Sequence, residues 1–351
     1  MNLSGAVAMG IFHRLIRYAF LALSIGALVI GIKACSPSVS NQPTAPSSPV
    51  AMSPSGSMAM GNKPKININT AILSELDKLE AALGVPALSN KIQASRPYGS
   101  IEDLVSKKVI SQAQFDQIKN QVTIEEVVLT GEARDVDYMT KLALMKGHMI
   151  VAGELLALNK PDQAEPHIGH PVEEIYVDLE EQFQERKVED FKGVLTQVQD
   201  LVKSKPNDPQ VKTQYDEAMK AIDQAIAALP ETQRQSANFS LQVINGLLET
   251  ATAEYTASIA DGKISAPIEY QDSRGFVAYA QDTVYKSIAD QVKQADPKAD
   301  EQIVTSFTGL RKAWPSAIPP VTPVLTADQV AAKVKQIEMT SAPMLQASIA
   351  Q

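Results

Sequence analysis

The chain has 351 residues, a formal net charge of −8 and one cysteine. That length holds two domains, or one domain and a long tail. The lone cysteine excludes internal disulfides and CxxC-type metal sites. The charge is unevenly spread: residues 1–61 carry three basic side chains and no acid, residues 62–123 a net of +2, and the remainder a net of −13. The long C-terminal part would repel phosphates, which makes it a poor nucleic-acid surface. Aromatic residues are 5% of the chain, which favours helices over a β-sandwich.

At the N-terminus Arg14 and Arg17 precede an apolar run, Tyr18 to Ile32, of a length suited to an export signal. The run is too short for the ~20 residues of a membrane span. Cys35 follows at once in Ile32-Lys33-Ala34-Cys35-Ser36. This resembles a bacterial lipobox. The resemblance implies that residues 1–35 are a signal peptide, that Cys35 is the lipid anchor, and that the mature chain sits at the periplasmic face of a bacterial membrane. Residues 36–62 are rich in Ser, Pro, Met, Ala and Gly and carry no charge. Such a segment cannot bury a core, so a disordered tether is expected.

Residues 63–123 read as a small helical unit. Thr70 is an expected N-cap before AILSELDKLEAAL, in which Ile72, Leu76, Leu79 and Leu83 recur at helical spacing. Gly84-Val85-Pro86 ends that helix and a second follows to about Ala94. Ser100, with Asp103 three residues on, is expected to cap a third helix, and Ser111 a fourth.

The order KININTA, helix, Gly hairpin, helix, RPY and IEDLVSKKVISQAQFDQIKNQV resembles the helix-hairpin-helix domains of exported bacterial proteins. That group includes the competence DNA receptor and the extrinsic photosystem II subunit U. The resemblance rests on Asn67, Asn69, Thr70, Arg96-Pro97-Tyr98 and Asp103-Leu104. It implies a compact all-α domain that contacts DNA or a protein partner, with Gly84, Val85, Lys91 and Arg96 as contacts. Pro86 stands where DNA-binding members carry a hairpin glycine, and proline has no N–H to offer a phosphate. DNA binding is therefore expected to be weak.

After a connector at 124–134 the pattern is helical throughout, and the whole chain is expected to be all-α: a helix-hairpin-helix domain followed by a duplicated four-helix-bundle-like domain over 135–340, with a tail at 341–351. In the first half, about 135–230, Tyr138, Leu142, Met145, Met149, Ala152 and Leu156 form a bundle seam on a helix over about 136–158. A loop through Pro161 and Pro166 is expected to lead to a second helix starting at Pro171. Phe191 to Leu201 and Val211 to Leu229 mark a third and fourth. The second half, about 231–340, repeats the layout with helices over about 232–260, 271–294 and 297–314 and a last one holding Val330, Val334 and Ile337.

Three of the four histidines, His148, His167 and His170, fall between Leu142 and Tyr176 beside Glu154, Glu165, Glu173 and Glu174. The bundle resembles the imelysin-like periplasmic proteins, which carry His-x-x-Glu at the start of a helix; here it is His170-Pro171-Val172-Glu173. The resemblance implies a metal site outside the cytoplasm, iron foremost, at His170 and Glu173; the clustered His148 and His167, with Glu254 from the second half, are the further candidate ligands. Tyr270 and Asp272 are further groups that would complete it from the second half. Mixed imidazole and carboxylate donors suit iron, zinc or copper. The competing reading makes His170 an N-cap, with Pro171 at the first helical position and Glu173 satisfying backbone N–H groups.

No His-Glu-x-x-His, Gly-x-Ser-x-Gly or phosphate loop is present, so no enzymatic role is expected. Two classes remain: a metal-binding uptake or storage accessory, or an interaction protein whose helix-hairpin-helix unit engages DNA or a partner.

Overall fold

A computed structural model describes residues 65–125 and 129–347. The signal-like segment, Cys35 and the tether lie outside the described residues. The chain is all-α, with a helix-hairpin-helix motif followed by a helical bundle.

The small domain opens on β1 (Ile66–Asn67), which pairs in parallel with β2 (Val122–Thr123), Ile66 opposite Val122. Between them lie α1 (Leu73–Leu83), α2 (Leu88–Ala94), α3 (Asp103–Ser106) and α4 (Gln112–Ile118). Leu76, Leu79, Leu88, Ile92, Leu104 and Ile118 make its core. Gly84 ends α1 in the left-handed conformation at φ 61°, which glycine adopts without strain.

Two expected caps move. Thr70 still belongs to a turn, its N–H donating to the Asn67 carbonyl at 3.2 Å, and α1 starts after Ile72 with no side-chain cap. Ser100 does not cap α3; instead the Asp103 carboxylate accepts the N–H groups of Gly99 at 2.7 Å and Ser100 at 3.2 Å. Ser111 does cap α4, in a reciprocal capping box with Gln114.

The bundle begins earlier than the sequence suggests. α5 (Gly131–Ala157) takes in the last residues of the expected connector. A three-residue turn follows, with Asn159 at φ 55°. The segment expected as a loop is then α6 (Pro161–His170), with Pro161 at its start and Pro166 inside it. Pro166 gives up its own backbone hydrogen bond and crowds the carbonyl of Asp162, and burial of Ala164, His167 and Ile168 holds the helix against that cost. At Pro171 the second proline re-registers the ladder into a π segment, Pro171–Ile175, in which the Tyr176 N–H donates to the Pro171 carbonyl. The helix continues as α7 (Tyr176–Glu185), then α8 (Lys192–Ser204) and α9 (Gln210–Ile226).

After the short α10 (Glu231–Arg234) the second half repeats the layout. α11 (Ala237–Ala257) is the long helix, and β3 (Ile259–Ala260) with β4 (Lys263–Ile264) forms the turn. α12 (Pro267–Tyr279) again breaks into a π segment, Ala280–Tyr285, before α13 (Lys286–Ala295); α14 (Pro297–Leu310) and α15 (Ala327–Ala347) complete it. α15 runs through most of the expected tail and buries Ser341. The matching π segments, one in the second helix of each half, support the duplicated layout. Among the described residues no helix is long and apolar enough to cross a membrane.

α5 packs on α6, α11 and α12, and α11 packs on α12, α15 and α1. Ile72, just before α1, joins the bundle core rather than the core of its own domain.

Candidate metal centre

Sequence geometry brings two of the histidines to one level. His148 precedes the Asn159 turn by eleven residues and His170 follows it by eleven. At ~1.5 Å per residue on two antiparallel helices, the two meet after folding back roughly 16 Å. His167 lies three residues before His170, on the same face of α6. The rings of His148 and His170 are 5.1 Å apart and those of His167 and His170 6.1 Å.

The fourth member comes from the other half of the bundle. α12 crosses α5 at Gly147 and Gly275, where any side chain on Gly275 would collide with the Gly147 backbone. That approach delivers Asp272. Its Oδ1 lies 2.6 Å from His148 Nδ1 and 2.7 Å from His167 Nδ1, and its Oδ2 lies 3.4 Å from His170 Nδ1. One donor atom from each of the four residues falls within 4.8 Å of all the others. Donors bound at ~2.0–2.2 Å to one ion stand roughly 3–4 Å apart, so the four need to draw in only slightly.

The site is almost sealed. His148 is 2%, His167 0% and Asp272 3% exposed, whereas the His170 side chain keeps 26%. Nearby partners fix the frame. Arg274 makes a two-point pair with Glu154 at 2.6 and 3.1 Å, tying α12 to α5, and its third nitrogen donates to the Trp314 carbonyl. The Trp314 indole N–H donates to Ser273 Oγ at 2.8 Å.

Gln271 fixes the state of His167. The Gln271 Nε2 donates to Gln163 Oε1 at 2.9 Å and to the Ala317 carbonyl at 3.1 Å. A carbonyl can only accept, so the other amide atom, Oε1, must be the acceptor facing His167 Nε2 at 2.9 Å. His167 therefore carries its proton on Nε2. Its Nδ1 then faces the Asp272 carboxylate either with a second proton or as a bare lone pair, and a bare pair 2.7 Å from an anion needs a cation to share. This is the arrangement by which a neighbour orients a metal-binding imidazole.

Electrostatics push the members apart. Burial drives His148 down, against the pull of Asp272, so its imidazole favours the neutral form, and its Nε2 is buried with no hydrogen-bond partner. Burial also opposes charge on His170, but the Asp272 hydrogen bond and charge prevail and raise it to about 9. Burial alone would raise Asp272; His148 and His167 outweigh it and hold the carboxyl well below its usual range. An ionised carboxylate ringed by three imidazoles, one neutral and one fixed in tautomer, is a suitable donor set for a transition metal.

The other expected residues fall elsewhere. His170 is no N-cap: its backbone is helical at φ −53°, ψ −46° inside a continuous helix, and its side chain makes no cap hydrogen bond. Glu173 is exposed in the π segment and is not among the four converging residues. The π register turns Glu174, not Glu173, toward His170, which acts electrostatically on it. Glu254 is buried near Asp272 but lies outside the four-residue group. The Tyr270 hydroxyl donates to the Ser316 carbonyl.

In the small domain Arg96 turns inward, donating to the carbonyls of Ile68 at 2.8 Å and Ala71 at 2.6 Å, so it is not free as a contact. Val85 packs partly on the domain core, and Lys91 is exposed on α2. Beyond Gly84, the hairpin N–H groups of Ala87 and Ser89 already donate to the Glu80 carboxylate at 2.9 and 3.2 Å.

Gln271 was not anticipated. The visible signal was a run of polar side chains, Gln271-Asp272-Ser273-Arg274, in a stretch that had to be buried. No curated protein and no solved structure matches the chain. Residues 61–123 match the helix-hairpin-helix motif. Residues 230–348 match the iron permease-associated 4-helix bundle domain, a stretch that contains Asp272 and Gln271 but none of the three histidines.

Proposed function

We propose that this chain is a non-enzymatic metal-binding protein of the cell envelope, an accessory to iron uptake or storage. The observation that carries this reading is the convergence of His148, His167 and His170 on the buried Asp272. Three imidazoles and one carboxylate suit Fe, Zn or Cu rather than Mg or Ca. The likeness of residues 230–348 to an iron permease-associated bundle favours iron. A bound ion would supply the positive charge that the lone pairs and the carboxylate share. Asp272 balances that charge, Gln271 orients His167, and His170, the one member open to solvent, meets the incoming ion first. The export signal and Cys35 lipid anchor belong to the same proposal, with residues 36–62 as the tether to the membrane. The helix-hairpin-helix unit serves as a packing and docking module; Glu80 on its hairpin donors disfavours the DNA-binding alternative.

The test is anaerobic titration of the chain with Fe(II), and in parallel with Co(II), whose absorption bands report coordination. One equivalent bound tightly by the wild type, and lost in His148→Ala and His167→Ala variants that keep their helix content, is expected. Equal binding in all three, or none in any, overturns the proposal.

A further inference from the structure

We propose that the loop between α14 and α15 is a seat on a lipid surface: Ile318, Val321 and Val324 enter the headgroup layer of a membrane, with Lys263 and Lys312 beside them for its anionic lipids. The proposal rests on the envelope location put forward above and not on the metal site.

The stretch stands out in charge and in exposure. Residues 313–327 carry no charged side chain, within a part of the chain whose net is −13. Seven large apolar side chains are exposed among the described residues, and three of them, Ile318, Val321 and Val324, fall within seven positions. Scattered singly such residues need no explanation, but a cluster marks an interaction surface. The three are 37%, 73% and 52% exposed and spaced three apart, while Pro319, Pro320, Pro323 and Leu325 are half-buried. Each proline fixes its own φ, which stiffens the spacing.

The loop is built onto the bundle, and its hydrogen bonds decide what covers it. Trp314 and Ala317 are buried at its base. Side chains of α12 hold its carbonyls: Arg274 donates to Trp314 at 2.7 Å, the Tyr270 hydroxyl to Ser316 at 3.2 Å and Gln271 Nε2 to Ala317 at 3.1 Å. The Ile264 N–H of β4 donates to the Val321 carbonyl at 3.0 Å, and the Tyr255 hydroxyl to that of Leu325 at 2.7 Å. The Ile318 N–H donates to Ser316 Oγ at 2.9 Å, and that hydroxyl donates to the Ile318 carbonyl at 3.1 Å. Pro315, Pro319, Pro320 and Pro323 have no N–H at all. A partner that adds a strand needs free backbone groups, and here much of that capacity is met or missing. A lipid surface offers no such partners and penalises unpaired groups. Lys263, beside Ile264 in β4, and Lys312, just before the loop, are both exposed, and cations at the rim of an apolar face favour anionic lipid.

Reach favours the same occupant. Thirty residues separate Cys35 from Lys65, a length that spans at most roughly 100 Å. A chain anchored at Cys35 keeps its bundle within that distance of the membrane, where a weak surface contact suffices. The base of the seat is one hydrogen bond from Gln271, the residue that orients His167.

The test uses the full chain with Cys35→Ser, so that one introduced cysteine carries an environment-sensitive NBD dye. It is mixed with vesicles of phosphatidylethanolamine and phosphatidylglycerol doped with nitroxide lipid. Val321→Cys and Val324→Cys are compared with Val304→Cys on α14 and Val177→Cys on α7, two positions that are also exposed. Dyes at 321 and 324 should shift to the blue and be quenched at least about twofold more than those at 304 and 177. Lys263→Gln combined with Lys312→Gln should reduce that quenching. Circular dichroism checks that helix content is unchanged. Quenching at 321 and 324 no greater than at the two controls overturns the seat, even where the chain reaches the vesicles through its N-terminal apolar run, and leaves a protein groove as the occupant. A blue shift that needs no vesicles and grows with protein concentration identifies a second copy of the chain and overturns it equally. Failure of Cys35 to take up lipid, measured separately by lipid labelling, would count against the anchor and leave the dye result standing.

Discussion

Gly147 and Gly275 touch backbone to backbone where α5 crosses α12, and this contact sets the distance from which Asp272 reaches His148. Gly147 precedes His148 directly, and Gly275 lies one turn beyond Asp272. Any Cβ on Gly275 would meet the Gly147 carbonyl, and a backbone atom cannot swing aside. Gly275→Ala should therefore push the helices apart, at a cost of about 1–3 kcal/mol for overpacking. Calorimetry should show a lower unfolding temperature, and metal affinity should fall with it. Gly193, with open space around its Cβ position, is the control: Gly193→Ala should leave both unchanged or raise stability slightly.

Asp272→Asn keeps the shape of the side chain and removes the charge that three imidazoles share. Metal affinity should fall at least a hundredfold, because a neutral amide is a weak ligand and cannot balance the ion. Gln271→Leu acts one step further out. It leaves all four donors in place but frees the His167 ring, and a loss of about 10–100-fold is expected for an orienting partner. Isothermal titration of the two variants against wild type separates these sizes of effect; equal losses would place Gln271 among the donors instead.

The four-helix layout of each half was legible because apolar residues recur at spacings of 3 and 4, as with Tyr138, Leu142, Met145 and Met149, all of which are buried. The histidines stood out by scarcity. What the sequence concealed was the route between them. Pro166 read as part of a loop and Pro171 as the start of a new helix, yet the first sits inside α6 and the second opens a π segment of the same continuous helix, held by the buried residues around them. Extending the helix through His170 is what converts a capping residue into a member of the cluster. Asp272 was one of several second-half candidates, because nothing local predicts that two glycines 128 positions apart will meet. Glu173 was favoured over Glu174 because it completes the His-x-x-Glu pattern at His170, whereas in the π segment it is Glu174 on which His170 acts.

The hairpin prediction follows from Glu80. Its carboxylate accepts from the N–H groups of Ala87 and Ser89 and from the Ser89 hydroxyl at 3.0 Å, the donors a phosphate would need. Restoring a single N–H with Pro86→Gly should leave duplex-DNA binding undetectable by fluorescence anisotropy at physiological salt. Removing the occupant as well, in Glu80→Ala with Pro86→Gly, should give weak, salt-sensitive binding. Tight binding by the wild type would show that DNA is contacted by a different face.

The last prediction concerns the metal-free protein, prepared in EDTA. His170 in the folded chain titrates at about 9, above the ~6.5 of an unperturbed histidine. A raised value means the folded state holds the proton more tightly than the unfolded state. The stabilisation from the His170 and Asp272 pair is then fully present below about pH 6.5 and is lost as pH rises through about 9. Asp272 works in the opposite window: held below its usual range, it contributes stability that is lost only as pH falls into the acid. The half-buried Asp77, raised to about 7, and the buried Glu254, also raised, likewise contribute stability that is lost as pH rises, so the raw curve of the wild type mixes several groups. The difference between wild type and His170→Gln isolates the pair. In urea titrations that difference should be largest near pH 6, up to about 3 kcal/mol from the shift in proton affinity, and should shrink toward zero by pH 10. A difference that stays flat from pH 6 to 10 would mean that His170 holds no charge against Asp272 in the folded protein.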